Sequence, residues 1–332
     1  MHNPLLSIVI PIYNVEDQIE KCAISLFRQT LKNIEYIFVN DATPDNSIKV
    51  LEKTIDKFPD RKKNIYIINH EINRGLSAAR LTGILEAKGT YIAHCDSDDW
   101  VEDDMYEKMI NKAHEEKADI ICCGLYYDSG VEISEDSFKK SISDVDKKVF
   151  LSQITLGGKY SSLCNKIVIR DLYFNNNIFP VKNISMWEDM VVTFRLICCS
   201  KKTTIMESSY YHYVFKTDSI SSPSVFSKQS IQQQVKCAEV IEDFLNKRGK
   251  NELELLKITL SQVKFISKSQ YLTNNKTQDP HLWKITFPES NKYIWKYKGI
   301  SVYGKIFYTL ASMGLMNLSI MILNVMLKIK SK

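Results

Sequence analysis

Three carboxylates crowd one short run, Asp96-Ser97-Asp98-Asp99, directly after the apolar segment Tyr91–Cys95. Neighbouring carboxylates repel, and a divalent cation removes that cost. Mg²⁺ or Mn²⁺ accepts one or two carboxylates and completes its shell with phosphate oxygens and water, which suits a departing nucleotide diphosphate. The plainer alternative is helix capping by Asp98 or Asp99. Both are met if Asp99 caps while Asp96 and Asp98 face a ligand. A second acidic pair, Glu188-Asp189, follows Trp187 and precedes the apolar positions Val191, Phe194 and Cys198. That spacing predicts a helix with the acids in its first turn, where the dipole keeps a carboxylate ionised. An ionised carboxylate there can act as general base towards an acceptor hydroxyl, or simply complement the helix end.

Three further positions could serve a nucleotide. Tyr13, after Ile10-Pro11-Ile12, could stack on a base or merely cover a sheet edge. Asp41, in Asn40-Asp41-Ala42-Thr43, could accept an imide N–H, although an Asx turn explains it equally. Arg80 lies in Asn73-Arg74-Gly75-Leu76-Ser77-Ala78-Ala79-Arg80. The small residues there let a helix approach a sheet closely, so Arg80 could reach a diphosphate or the acidic run.

The elements that must position these groups alternate. Ser7–Ile12, Ile34–Val39, Ile65–Ile68, Tyr91–Cys95 and Ile120–Cys123 read as short buried strands. Between them Ile19, Cys22, Ala23, Leu26 and Phe27 form one helical face, with Asn14 as a candidate cap, and helices are also expected to about Phe58, over Leu76–Lys88 and around Met105–Ala113. This predicts an α/β fold with a mostly parallel sheet flanked by helices, in which ligands sit beyond the carboxyl ends of the strands. Asp128–Lys148 reads as loop or insertion. From about Ser224 the pattern becomes helical, through Gln232–Lys247 and Glu252–Ser269. We therefore divide the chain into residues 1–222, with a nucleotide half (1–125) and an acceptor half (126–222), and a helical C-terminal extension, 223–332.

The net charge of +5 is unevenly placed. No Asp or Glu follows Glu289, and seven lysines do; without those seven, 37 basic residues face 39 acidic ones, a balance of −2. The basic character belongs to the tail, which argues against a nucleic-acid-binding body and for a tail that meets an anionic surface. The eight cysteines show no CxxC pair and read as reduced core thiols of a cytoplasmic protein. Ile306–Leu327 carries no charge over 22 residues. Its polar residues gather on one side of a helical wheel, and Phe307, Ala311, Leu315, Leu318, Met321, Ile322 and Val325 on the other. We expect an amphipathic helix lying in the membrane surface over about 300–332, with a span or a protein-docked helix as alternatives.

Taken in order, Pro11-x-Tyr13-Asn14, Asp41, Asn73-Arg74-Gly75…Ala79-Arg80, Asp96-x-Asp98-Asp99 and Glu188-Asp189 resemble the family 2 glycosyltransferases of bacterial polysaccharide synthesis. The match is close over residues 5–125 and looser over 160–220. The resemblance implies a GT-A fold, Rossmann-like as in nucleotide-diphospho-sugar transferases, and an inverting transfer from a nucleotide-sugar donor, with UDP expected, to a glycan or polyprenol-linked acceptor. It implies donor contacts from Pro11, Tyr13, Asp41, Arg80, Asp96 and Ser97. Mn²⁺ or Mg²⁺ would sit on Asp98 and Asp96, with His212 as a further candidate beside its structural alternative. Asp189 would be the base, Glu188 the second choice, and Trp187, Asn165 and Lys166 would meet the acceptor. Such an enzyme would work on the inner face of the cell membrane, without nucleic acid, and homo-oligomerisation is left open. Many members carry Asp-Asp where this chain has Asn40-Asp41, so any role of the first acid passes to an amide. A nucleotidyltransferase is the rival enzyme class, but it would carry a Gly-rich basic loop where Tyr13-Asn14-Val15-Glu16 stands. A non-catalytic scaffold of the same fold is the other alternative.

Overall fold

The computed structural model describes residues 3–215, 227–274, 276–315, 318 and 321. The chain divides into two compact units, Met1–Phe150 with Gly157–Val225, and Leu151–Leu156 with Phe226–Lys332.

The first unit is built on a sheet. Strands β1 (Leu6–Ile12), β2 (Ile34–Asn40), β3 (Ile65–Asn69) and β4 (Tyr91–His94) run parallel in the order β3-β2-β1-β4. Every residue of β1 is buried, which is why it reads as a continuous apolar run and does not alternate. Helices α1 (Ile19–Phe27), α2 (Ser47–Asp56) and α3 (Leu76–Glu86) connect these strands. At Gly83 of α3, one turn beyond that small-residue run, a Cβ would collide with Val9 Cγ1, so it is this glycine that permits the close approach to β1.

Beyond β4 the sheet becomes mixed. The short β5 (Trp100–Val101) leads into α4 (Met105–Glu116), then β6 (Ile120–Asp128), β7 (Ile133–Asp136), β8 (Lys166–Ile169), α5 (Glu188–Cys199) and β9 (Thr203–Val214). β8 inserts antiparallel between β4 and β6, β9 runs parallel to β6, and β5 pairs antiparallel with β9. The polar stretch 128–148 therefore contains a strand, β7, paired with the end of β6. Asn14 does not cap α1: it adopts φ 54°, and the helix begins five residues later at Ile19, after Gln18. Its N–H instead donates to Thr43 Oγ1 at 2.8 Å, which ties the loop after β1 to the loop after β2.

The second unit is helical. α6 (Lys228–Arg248) and α7 (Lys257–Thr273) are its long helices, and α8 (Val302–Ser312) follows the turn-rich segment Pro288–Lys296. Ile231, Phe265, Trp283, Ile294, Tyr297, Phe307 and Ala311 share its core. Phe307 and Ala311, the first two members of the arc expected to meet lipid, are thus spent on protein. Of the rest of that arc, Leu315, Leu318 and Met321 are exposed, and Ile322 and Val325 lie outside the described residues. Among the described residues no helix is long and apolar enough to cross a membrane.

Candidate active site

β1 pairs with β2 on one side and β4 on the other, so the chain reverses its order at β1. In open α/β sheets that switch point opens a crevice beyond the strand ends. Ile12 and Asn40 are paired in register, and Asp41 N–H donates to Ile12 O at 3.0 Å, so Asp41 stands beside the Tyr13 turn as strand adjacency requires. Pro11 is buried in β1, while Tyr13 is 45% exposed at its end.

Asp41 itself is buried, and its carboxylate organises the next loop. Oδ1 meets His70 Nδ1 at 2.7 Å and accepts from Arg74 N–H at 2.9 Å; Oδ2 accepts from Gly75 N–H at 2.7 Å. Gly75 sits at φ +84°, a conformation that favours glycine and turns the chain into α3. His70 also meets Thr82 Oγ1 at 2.9 Å. Sequence reasoning passed over His70, yet it lies one residue past the C-terminal end of β3, where the strand-end rule applies.

Arg80 is the hub. It is 3% exposed; Nη2 donates to Asp96 Oδ1 at 2.6 Å and Nη1 to Glu188 Oε1. One guanidinium thus joins the acidic turn after β4 to the first turn of α5, which lies ninety-two residues further along the chain. Burial disfavours its charge, but Glu188, Asp96 and Asp189 outweigh that and hold its pKa well above the ordinary value. The expected diphosphate contact therefore competes with two carboxylates that already occupy Arg80.

The two acids of α5 differ. Burial, with help from Asp189 and Asp96, pushes the Glu188 carboxyl up to about 7 against the pull of Arg80. Asp189 is also raised by burial, while Arg80 and the Met190 N–H, which donates to Asp189 Oδ1 at 2.7 Å, pull it down. Against the helix dipole expected to favour ionised carboxylates here, burial raises both acids. Trp187, at φ 64°, forms the turn before the helix. Ser77 Oγ of α3 donates to Ile184 O and so anchors the approach to that turn.

Around the acidic turn, Asp99 caps no helix. Its Oδ2 accepts from Tyr211 Oη at 2.7 Å and its Oδ1 from Val214 N–H at 2.8 Å, so it pins β9 across the turn. Tyr211 Oη also accepts from Asp96 N–H at 3.1 Å. Burial, then Asp98 and Asp96, push the Asp99 carboxyl well up. Ser97 is buried, whereas Asp96 and Asp98 are half-buried. These acids fit a cation that takes one or two carboxylates and draws its remaining ligands from a diphosphate, because a divalent charge relieves the repulsion among neighbouring carboxylates. They do not form a closed cage: among the described residues no group of three or more His, Cys, Asp and Glu side chains is arranged to hold a metal.

His212 is committed elsewhere. Its ring stacks on Trp100, with centroids 3.4 Å apart, and on Tyr126, and its Nε2 meets Glu102 Oε1 at 2.7 Å. The structural alternative is the one the geometry supports. Asn165 and Lys166 are likewise corrected. Both are fully buried, and the Lys166 Nζ donates to the carbonyls of Lys159 and Ser162 and to Asn165 Oδ1. Asn165 Nδ2 serves the carbonyls of Cys123 and Lys159. With every donor engaged, the pair braces the 159–165 loop and has nothing left for an acceptor. His94, missed in the sequence, is the last residue of β4. It lies buried with Nε2 against Tyr173 Oη at 3.2 Å, and burial and Arg80 hold its pKa well down.

The profile of glycosyl transferase family 2 matches residues 7–172, half of the sequence, and the chain belongs to that family. Among particular relatives, EpsJ of Bacillus subtilis (strain 168), described as an uncharacterized glycosyltransferase, is 47% identical over 126 residues, 38% of this chain and 35% of that protein. EpsH of the same organism, a putative glycosyltransferase by its own description, is 30% identical over 224 residues, 66% of this chain and 63% of that one. The chain thus spans between about a third and just under two thirds of these relatives' lengths. The fold is that of S. aureus TarS residues 1-349, solved in complex with UDP-GlcNAc, with TM-score 0.72, 17% identity and coverage of 94% of this chain and 88% of that one.

Proposed function

We propose that the protein is an inverting glycosyltransferase that moves a sugar from a UDP-sugar to a glycan or polyprenol-linked acceptor in bacterial surface polysaccharide synthesis. It would do so in the cytoplasm, at the inner face of the cell membrane. The observation that carries this reading is Arg80, which pairs with both Asp96 and Glu188, the chain neighbours of Asp98 and Asp189. Tyr13 offers a ring to the base, and Asp41 the carboxylate beside it. The TarS complex with UDP-GlcNAc supports a UDP-sugar donor for the shared fold.

In this mechanism the acceptor hydroxyl attacks the anomeric carbon in line with the leaving group. Its proton passes to the Asp189 carboxylate as the new C–O bond forms and the bond to the diphosphate oxygen breaks. The raised pKa of Asp189 makes it a stronger base than a free aspartate, which suits that task. Arg80 holds Glu188 and Asp96 in fixed positions. Asp98 and Asp96 would hold Mn²⁺ or Mg²⁺, which when bound supplies charge neutralisation to the departing UDP. Trp187, in the turn before Asp189, would pack against the acceptor sugar.

The test is UDP release from a panel of nucleotide sugars with Mn²⁺ or after EDTA treatment, together with thermal protection by the same donors. UDP-sugar protection that requires the cation and is lost in Asp98→Ala supports the reading. Protection by a GDP- or TDP-sugar and not by any UDP-sugar overturns the uracil assignment to Asp41. Cation-independent turnover overturns the role of Asp98.

A further inference from the structure

A carboxylate offers about four acceptor sites, two on each oxygen. At Asp41 both sites of Oδ1 are taken, by His70 Nδ1 and the Arg74 N–H, and Oδ2 takes one donor, the Gly75 N–H. A single acceptor site is left over, on Oδ2. His70 is itself held at two points. Its backbone N–H donates to Asn40 O at 2.9 Å, one step past the last paired residues of β2 and β3. Its ring lies between Asp41 and Thr82 Oγ1, and the side chains of His70 and Asp41 are each only 4% exposed. A neutral imidazole that donates through Nδ1 carries its acceptor at Nε2, so the matching partner is a hydroxyl that donates, which Thr82 supplies. Thr82 stands on α3, two residues past Arg80. The chain Thr82–His70–Asp41 therefore links α3, the end of β3 and the end of β2. The two backbone N–H groups, one on each oxygen, already shape the turn at Gly75. The imidazole adds a third donor, which fills Oδ1 and confines the open site to Oδ2.

We propose that His70 and Thr82 are positioning residues for base recognition: they saturate Asp41 Oδ1 and so present the open site of Oδ2 to a ring N–H of the nucleotide base. The inference rests on the nucleotide-sugar reading above and adds to it the residues that set the choice between pyrimidines. Uracil and thymine carry an N–H at ring position N3. Cytosine carries an acceptor lone pair there, which would face Oδ2 and leave both groups unpaired. A site built to accept a hydrogen bond rejects an analogue that lacks the donor more strongly than a pocket that merely fits its shape. Neither His70 nor Thr82 touches the base in this arrangement; both act through Asp41.

The experiment is calorimetric titration of the full chain with UDP, CDP and TDP in the presence of Mn²⁺. The wild type should prefer UDP to CDP by about tenfold or more. His70→Phe removes both ring hydrogen bonds; UDP binding should weaken by about tenfold while CDP binding stays within about twofold, so the preference collapses. Thr82→Val should produce the same change in smaller measure, about threefold, and Thr82→Ser, which keeps the hydroxyl, should restore the wild-type ratio. If His70→Phe does not fold, Thr82→Val against Thr82→Ser decides. A UDP-to-CDP ratio that the variants leave unchanged, including equal losses for both nucleotides, overturns the inference and leaves the UDP-sugar reading standing. Preference for TDP over UDP, lost in the same variants, refutes the uridine donor and supports the inference, since thymine presents the same N–H. A wild type that binds none of the three overturns both.

Discussion

Arg80, Glu188 and Asp189 divide labour in a way their residue types alone do not show. Glu188 is the more buried acid, is held by Arg80 and is pushed up to about 7; Asp189 is half-buried beside it and is also raised by burial. Asp189→Asn keeps the shape and removes the proposed base, so transfer should fall by about 10²–10⁴-fold with the circular dichroism spectrum unchanged. Glu188→Gln should act differently. The folded pKa of Glu188 lies above its ordinary 4.5, so its contribution to stability is full below pH 4.5 and is lost as pH rises through about 7. Urea denaturation between pH 5 and 8 should therefore show a wild-type decline of at most about 1.4 kcal/mol per pH unit from this group, and a flatter profile in Glu188→Gln. An unchanged slope in the variant would assign the decline to another group. Asp189 and Glu188 were both visible in the sequence as acids at a helix start, but only burial separates their roles.

The elements place these groups through two close approaches. Gly83 lets α3 lie against Val9 of β1, which sets Arg80 at the strand ends. Gly83→Ala would force a methyl into that contact, and overpacking of this kind costs about 1–3 kcal/mol. The melting temperature should drop by about 2–4 °C for each kcal/mol lost, measured by calorimetry. The second approach is β9 over the acidic turn, held by Tyr211 between Asp99 and the Asp96 N–H. Tyr211→Phe leaves the buried Asp99 Oδ2 without its donor, at a cost of about 1–3 kcal/mol. Because the turn itself loosens, the apparent donor affinity should weaken along with stability; a stability loss with unchanged affinity would show that β9 only supports the fold. The alternating strands and helices of the first half were legible because parallel strands buried on both faces leave continuous apolar runs. The antiparallel insertion of β8 and the pairing of β7 were not, since strand order depends on contacts between distant segments and leaves no local pattern.

Across the whole molecule the eight cysteines are thiols, not disulfides, and all but Cys199 are buried. Burial raises the thiols of Cys122 and Cys123, the first to about 11. Reductant should therefore leave the melting temperature unchanged. A thiol reagent at pH 8 should label at most Cys199 quickly in the native protein and all eight after denaturation; fast native labelling of two or more would contradict this packing. The same scale explains the tail. Seven lysines without a single acid are plain in the sequence, but which side of α8 remains available was settled by Phe307 and Ala311 entering the core of the second unit.

The sequence by itself determined the first four strands, the acids at their carboxyl ends, the reduced cysteines and the basic tail, because each is written in residue type and local period. Tertiary structure alone decided which partners those residues take. Arg80 turned to two carboxylates, Lys166 to three oxygen acceptors, His212 to Glu102 and two rings, and Asp99 to β9. The physical reason is that a buried polar group must find a partner wherever the fold brings one within reach, and segments about a hundred residues apart supply partners that no spacing rule can name.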